Sequence, residues 1–302
     1  MHSITLLGEL AALGASVCFS LGPTLFTLAG RMVGSLTTNR LRLLLGALYF
    51  GIIHWALYGS PIPKATPEAF GYLLASGIVG LALADAFMFE AFVLMGPRIT
   101  LLVLNLTPAI ATAFAWIWLK EHLSLSQLAA MAVVLGGISW VVLERQPPSA
   151  EGERAKHYDP RGLLFALIAA VVGALSVLFA KKGLNTGVPT ISAATIRMFG
   201  GMVTLWGWTV AVGKARPTIN TFISNTKALK FVALGVLIGP VVGMSLNLFA
   251  IKNIPIGVAA TLSSLPPILL LPIGHWLFHE RITARAIIGT VIATAGVIWL
   301  ML

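Results

Sequence analysis

A single cysteine stands among 302 residues, so no disulfide can close within the chain and no cysteine cluster can hold a metal. Cys18 is left the role of a small buried hydrophobe. Charge is also scarce: 10% of residues are Asp, Glu, Lys or Arg, against about 25% in soluble domains, which excludes an ordinary water-soluble fold. Acidic residues number 10 against 20 Lys and Arg. That excess could serve nucleic acid, but the cations are scattered between apolar segments and build no basic run or aromatic-basic module, so no nucleic-acid partner is expected. Zinc-hydrolase HExxH, the GxSxG nucleophile elbow and the phosphate-binding Walker loop are all missing. Neither an enzyme nor a cofactor or metal is expected, and ATP does not drive the protein directly. The opening "MHSITLLGEL" lacks a basic stretch ahead of its apolar run, which argues against a cleaved signal peptide and for a first helix that stays in place.

What fills the sequence is hydrophobicity, at 58% of residues and a mean hydropathy of +0.93. Apolar runs bounded by Gly, Pro or charge fall at 5–27, 36–58, 69–92, 98–119 and 124–143, then at 162–180, 190–212, 229–251, 256–278 and 283–302. Each is near the ~20 residues that cross a ~30 Å hydrocarbon core. The expectation is an all-α integral membrane protein of ten transmembrane helices. Between the two sets lies "ERQPPSAEGERAKHYDPR", a charged, proline-bearing linker without apolar period. The chain is thereby divided into a first five-helix repeat at 1–143, a solvated linker at 144–161 and a second repeat at 162–302.

The halves align at a near-constant offset. Pro108 falls on Pro267, Glu121 on Glu280 and Gly137 on Gly296; earlier, "RLRLLLGAL" lies over "TIRMFGGMV", pairing Arg42 with Arg197. Five spans is an odd number, so the second copy enters the bilayer from the opposite side and the repeats are inverted. Within them, "LNLTPAIATAF" and "LSSLPPILLL" place prolines in the middle of apolar helices beside their few polar residues. A proline in a spanning helix frees the carbonyl four residues earlier, and in lipid that carbonyl must find a partner or line a wet cavity. Interrupted helices at matching places in inverted halves point to a binding site near the midplane. Asn105, Thr107, Pro108, Ser263, Ser264 and Pro267 are therefore candidate substrate-binding residues, together with Asn247 on the eighth span.

The same features resemble the drug/metabolite transporter superfamily, in its ten-helix EamA type. They are an Arg early in the second helix of each repeat (Arg42, Arg197), a Pro in the fourth (Pro108, Pro267), a Glu just after it (Glu121, Glu280) and a glycine-rich fifth helix (Gly136, Gly137 and Gly289, Gly296). The resemblance implies a bundle around a central cavity between the repeats, in the cytoplasmic membrane. It also implies a secondary transporter of small polar metabolites such as amino acids or drugs, working by alternating access and exporting its substrate. A lipid-linked carrier or flippase of the same superfamily is the alternative. The oligomeric state stays open between monomer and homodimer.

Among the ionisable groups at membrane depth five stand out: Arg40, Arg42, Asp85, Glu90 and Arg197. Each costs ~2.5 to 3.5 kcal/mol or more near the bilayer centre and so needs a partner or a task. Arg42 with Asp85 or Glu90 is read either as a structural ion pair or as a coupling site at which protons are exchanged. Arg197 has no acid at the equivalent place, where Met244 stands, and is assigned either to a substrate anion or to backbone carbonyls and headgroups. Glu121 and Glu280 are expected to fix turns before the helix caps Ser124 and Thr283, and Trp116, Trp118, Trp276, His54 and Trp55 to form interfacial belts.

Orientation has two answers. The loops after odd-numbered spans carry Arg31, Arg98, Arg145, Arg154, Lys156, Arg161, Lys214, Arg216, Lys227, Lys230, Arg281 and Arg285. The other face carries Lys64, Lys120, Lys181, Lys182 and Lys252. This bias puts the termini outside, whereas the resemblance implies termini inside.

Overall fold

The computed structural model describes residues 2–95, 97–143, 160–278 and 283–302. Among these residues every regular element is helical. Eight helical stretches are long and apolar enough to cross a membrane: Ser3–Val33, Leu36–Tyr58, Pro67–Ala91, Ile99–Leu119, Leu125–Leu143, Pro160–Asn185, Thr226–Asn253 and Ala284–Met301. Large side chains such as Leu6, Leu48, Trp208 and Val291 are exposed on their surfaces, as expected of helices whose solvent is hydrocarbon. The two remaining sequence segments are also helical. Thr190–Ala211 carries Arg197 within its length, and Ile256–Pro272 is a shorter apolar stretch. The count of ten spans remains a reading of the sequence pattern.

The elements are α1 (His2–Val33), α2 (Ser35–Tyr58), α3 (Pro67–Gly77), a π-helical segment π1 (Ile78–Ala84), α4 (Asp85–Met95), α5 (Pro97–Leu104), α6 (Thr107–Leu119) and α7 (Leu125–Leu143). The second series is α8 (Pro160–Asn185), α9 (Thr190–Ala211), α10 (Ala215–Ser224), α11 (Thr226–Val236), π2 (Leu237–Gly243), α12 (Met244–Asn253), α13 (Ile256–Ser263), α14 (Pro266–Phe278) and α15 (Ala284–Met301). Local chemistry sets several ends. Gly59 stops α2 in the left-handed region at φ 70, its N–H donating to the Trp55 carbonyl. Thr66 caps α3 with Pro67 at the first helical position. Ser124 and Gln127 form the reciprocal bonds of a capping box, at 3.0 and 3.1 Å, and Thr283 caps α15 through the Ala286 N–H.

The helices gather into two compact units, and each unit draws on both halves of the sequence. The first comprises Met1–Ala82 and Ser176–Ile254. Here α1 lies along α11, π2 and α12, while α9 packs on α2 and α3. Small residues let these backbones approach: Gly22 of α1 faces the Gly239 backbone, Gly46 of α2 faces Met198, and Gly183 of α8 faces Leu73. Cys18 packs beside Gly243. The second unit comprises Leu83–Leu175 and Pro255–Leu302. Its most extensive pairing joins α7 to α15, with α6 against α13 and α5 against α7. The α7–α15 seam is built on Gly137, Gly289 and Gly296, where a methyl group in place of hydrogen would meet backbone or branched side chains of the partner helix.

Candidate functional site

Both proline-bearing helices are interrupted where the sequence places the interruption. The α5–α6 helix breaks at Asn105 and Leu106, and α13–α14 breaks at Ser264 and Leu265. These are the same two positions of each repeat, on the offset that pairs Pro108 with Pro267. Before Pro108 the ladder tightens, with the Leu106 N–H donating to the Val103 carbonyl at 3.0 Å. Proline itself has no N–H for the Leu104 carbonyl. The second break is similar: Ser264 donates both its N–H and its hydroxyl to the Thr261 carbonyl, at 3.1 and 2.7 Å, and Pro266 and Pro267 offer no donors. Both breaks belong to the second unit, on helices α6 and α13 that pack side by side.

The polar groups at the breaks are partly engaged. Asn105, 8% exposed, donates its amide to the Ser139 hydroxyl of α7 at 3.3 Å. Thr107 is half-buried beside Gly173, the Pro108 carbonyl accepts from the Thr112 hydroxyl at 2.8 Å, and Ser263 is held by an interaction of its own. The Thr261 hydroxyl, fully buried one turn before the second break, has no hydrogen-bond partner among the described residues. A buried polar atom left so costs about 1–3 kcal/mol and marks a place where a further group is needed.

Below these breaks the geometry depends on one turn residue. Lys120 adopts φ 57 at the end of α6, a left-handed conformation that few non-glycine residues take. The turn brings the Glu121 carboxylate to the first N–H of α13, at Ile256, 2.9 Å away. A carboxylate on a helix N-terminus is favourable both as a charge-assisted acceptor and in the helix dipole. Glu121 thus fixes the α6–α13 pairing rather than a turn alone. Glu280 lies outside the described residues.

Arg197 sits in the first unit, on α9, and is 7% exposed. Among the described residues its guanidinium donates to no backbone carbonyl. One terminal nitrogen donates to the Ser176 hydroxyl of α8 at 3.4 Å, and its Nε has no hydrogen-bond partner among the described residues. Among the described residues it has no acidic partner. Ser176 is in turn locked to Ser76 of α3: each hydroxyl donates to the other residue's carbonyl, at 2.6 and 2.8 Å. The neighbouring glycines make room. A Cβ on Gly77 would overlap the Arg197 carbonyl, and one on Gly80 would strike the Ser176 hydroxyl.

The remaining candidates are distributed. Arg42 lies on α2 in the first unit, with its guanidinium 6.0 Å from the Phe26 ring centre. Asp85 and Glu90 lie on α4 in the second unit, half-buried and exposed respectively. Asn247 is half-buried on α12, and Arg42, Asp85 and Asn247 each have an interaction of their own.

Comparison with known proteins now bears on this architecture. The model of the EamA-like transporter family matches residues 6–143 and 160–302. The chain belongs to that family. This EamA-like transporter is 28% identical over 234 residues to an uncharacterized transporter of Clostridium kluyveri, across 77% of this chain and 72% of that one. A solved crystal structure of a protein 21% identical covers 98% of this chain and 95% of its own, with a TM-score of 0.68, a likeness of fold. The chain is thus a multi-pass membrane transporter, and its family is one of transporters rather than enzymes.

Several features of this transporter escaped the sequence. The two π segments are the largest: π1 and π2 stand at equivalent positions of the two repeats, on the offset that pairs the prolines. Their shared signal is Gly80 over Gly239. His54 is not a belt residue. It is 2% exposed, with Nδ1 donating to the Ser60 carbonyl and Nε2 left to accept from the Ser192 hydroxyl at 3.0 Å, while its neighbour Trp55 is 62% exposed. Trp116 and Trp118 are exposed, as a belt requires; the Trp276 side chain lies outside the described residues. Lys181 is buried and donates to the Ile254 carbonyl at 2.8 Å, closing the end of α12.

Proposed function

We propose that this transporter carries small polar metabolites with an anionic group across the cytoplasmic membrane by alternating access, and that it works as an exporter. The observation that carries this reading is the matched interruption of α5–α6 and α13–α14. Each break gives up helix hydrogen bonds inside an apolar segment, a cost that persists where the freed backbone has a wet or ligand-facing task. Arg197 supplies the charge preference. A guanidinium buried without an acid is expensive, and a carboxylate or phosphate of the solute would satisfy its unspent donors. Asn105, Thr107 and Ser263 supply neutral donors and acceptors near the breaks, with Pro108, Ser264 and Pro267 shaping them, and Asn247 is a further polar candidate in the first unit. For Arg42, Asp85 and Glu90 the proposed tasks are structural ion pairing or proton coupling.

Secreted metabolites of cells overproducing the protein, compared with cells making Arg197→Gln at equal membrane abundance, test the reading. A charge-assisted hydrogen bond contributes about 1.5–3 kcal/mol, so flux at low solute should fall roughly tenfold or more. Arg197→Lys should retain part of it. An unaltered secretion profile across both variants refutes the role of Arg197. Flux of the identified solute in proteoliposomes without movement of labelled lipid then separates solute transport from flippase activity.

A further inference from the structure

From Pro160 to His279 the sequence contains no Asp or Glu. Within that stretch α10 forms a short amphipathic helix. Its Thr218 and Phe222 are buried, while Ile219 and Ile223 are 44% and 74% exposed. Lys214 and Arg216 stand at its start, Lys227 and Lys230 just beyond its end, and all four are exposed. Beneath the helix is a cavity of about 190 Å³ whose wall is wholly apolar, formed by Leu41 and Leu44 of α2, Trp206 of α9, Phe222 of α10 and Leu229 of α11. Behind that wall lies Arg40, 8% exposed. Its guanidinium donates to the Thr218 hydroxyl at 3.0 Å, and its backbone carbonyl accepts from the Trp206 indole at 2.9 Å. The Arg40 Nε is buried with no hydrogen-bond partner among the described residues.

We infer that this corner of the first unit is a specific site for an anionic phospholipid, with an acyl chain in the apolar cavity and the phosphate met by the exposed cations at an end of α10, Lys214 with Arg216 or Lys227 with Lys230. The choice of occupant follows from the chemistry. An apolar cavity beneath a helix whose two ends carry exposed cations, in a stretch of sequence without acids, fits a molecule that is greasy at one end and negative at the other, and a free inorganic anion would leave the cavity unfilled. A zwitterionic lipid would bring a cation of its own against four others. A second copy of the chain, docked by a twofold axis, would oppose the same cations. Amphipathic segments rich in Lys and Arg recognise anionic headgroups, with roughly fivefold in affinity for each cation near the surface.

Trp206 reports on the cavity. The full-length protein is reconstituted in phosphatidylcholine bilayers containing, at equal mole fraction, either phosphatidylglycerol or phosphatidylcholine with brominated chains, and tryptophan emission is read. Brominated phosphatidylglycerol should quench more strongly, and Trp206→Phe should remove that difference. A variant combining Lys214→Gln, Arg216→Gln, Lys227→Gln and Lys230→Gln, all at exposed positions, should lower the preference by more than tenfold while quenching by brominated phosphatidylcholine persists. Equal quenching by the two lipids means ordinary annular contact and overturns the inference, as does a preference that survives in the fourfold variant. Protection of Trp206 from both lipids, with self-crosslinking through Ile223→Cys, would assign the face to a second copy and overturn it equally.

Discussion

Adjacent glycines on α7 should respond to the same substitution with opposite sign. A Cβ built on Gly136 meets nothing within 4 Å, whereas one on Gly137 falls 2.6 Å from the Ala293 nitrogen and 2.7 Å from the Gly289 carbonyl of α15. Gly136→Ala therefore gains helix propensity without a clash, a stabilisation of up to about 0.8–1 kcal/mol. Gly137→Ala gains the same propensity but presses on backbone, which cannot rotate away as a side-chain tip would. For ordinary contact at 3.4 Å α15 must retreat by about 0.8 Å, and a gap of that size forfeits a quarter to a half of the dispersion attraction along the seam. Overpacking of this kind costs about 1–3 kcal/mol, so the net effect is destabilising by up to roughly 2 kcal/mol. Thermal unfolding of the detergent-purified protein should rank Gly136→Ala at or above the parent and Gly137→Ala below it. Equal midpoints for the two variants would refute the glycine seam as the basis of α7–α15 pairing.

Removal of the Glu121 carboxylate should loosen α13 at its start. Glu121→Ala leaves the Ile256 N–H without its acceptor at a fully buried residue, a cost of about 1–3 kcal/mol, while Glu121→Gln keeps an acceptor and most of the stability; thermal midpoints distinguish the two. Replacement of the matched break prolines, Pro108→Ala with Pro267→Ala, restores an N–H at each and should leave the protein folded while abolishing solute flux, measured as secretion of the transported metabolite. Undiminished flux in that double variant would show that the breaks serve packing alone.

The breaks were legible because proline leaves a chemical signature: no N–H, whatever the surroundings. The fifth-helix glycines, the capping box at Ser124 and the cap at Thr283 were legible for the same reason, since each is a local property of residue type and spacing. The environment of a side chain was less so. His54 and Trp55 share a helix end and an amphipathic character, and sequence proximity suggested one role for both. Consecutive residues on a helix point about 100° apart, so His54 turns inward to Ser192 and Trp55 outward. Arg197 illustrates the same limit. The absence of an acid at its equivalent place could be read from the repeat, but its lodging against Ser176 depends on Gly77 and Gly80 of the first repeat, far from it in sequence, and no local pattern announces it.

The π segments extend the repeat beyond what residue identity preserves. Pro240 in π2 corresponds to Leu81 in π1, so proline cannot be the common cause. What the two share is Gly80 and Gly239, and each glycine lies where another helix comes close: Gly80 at Ser176, and Gly239 at Gly22 of α1. A π turn lodges an extra residue in the helix ladder and alters which side chains face the neighbour, and such turns gather at functional sites. Conserving that distortion in both halves while the residues around it diverge implies that the backbone shape itself is what the duplication retained. Arg197 gives that shape a purpose. Its carbonyl packs on Gly77, just before π1, and its guanidinium reaches the Ser176 hydroxyl that faces Gly80. A regular helix there would displace Ser76 and Gly80 from their present facing, and with them the support of the buried charge.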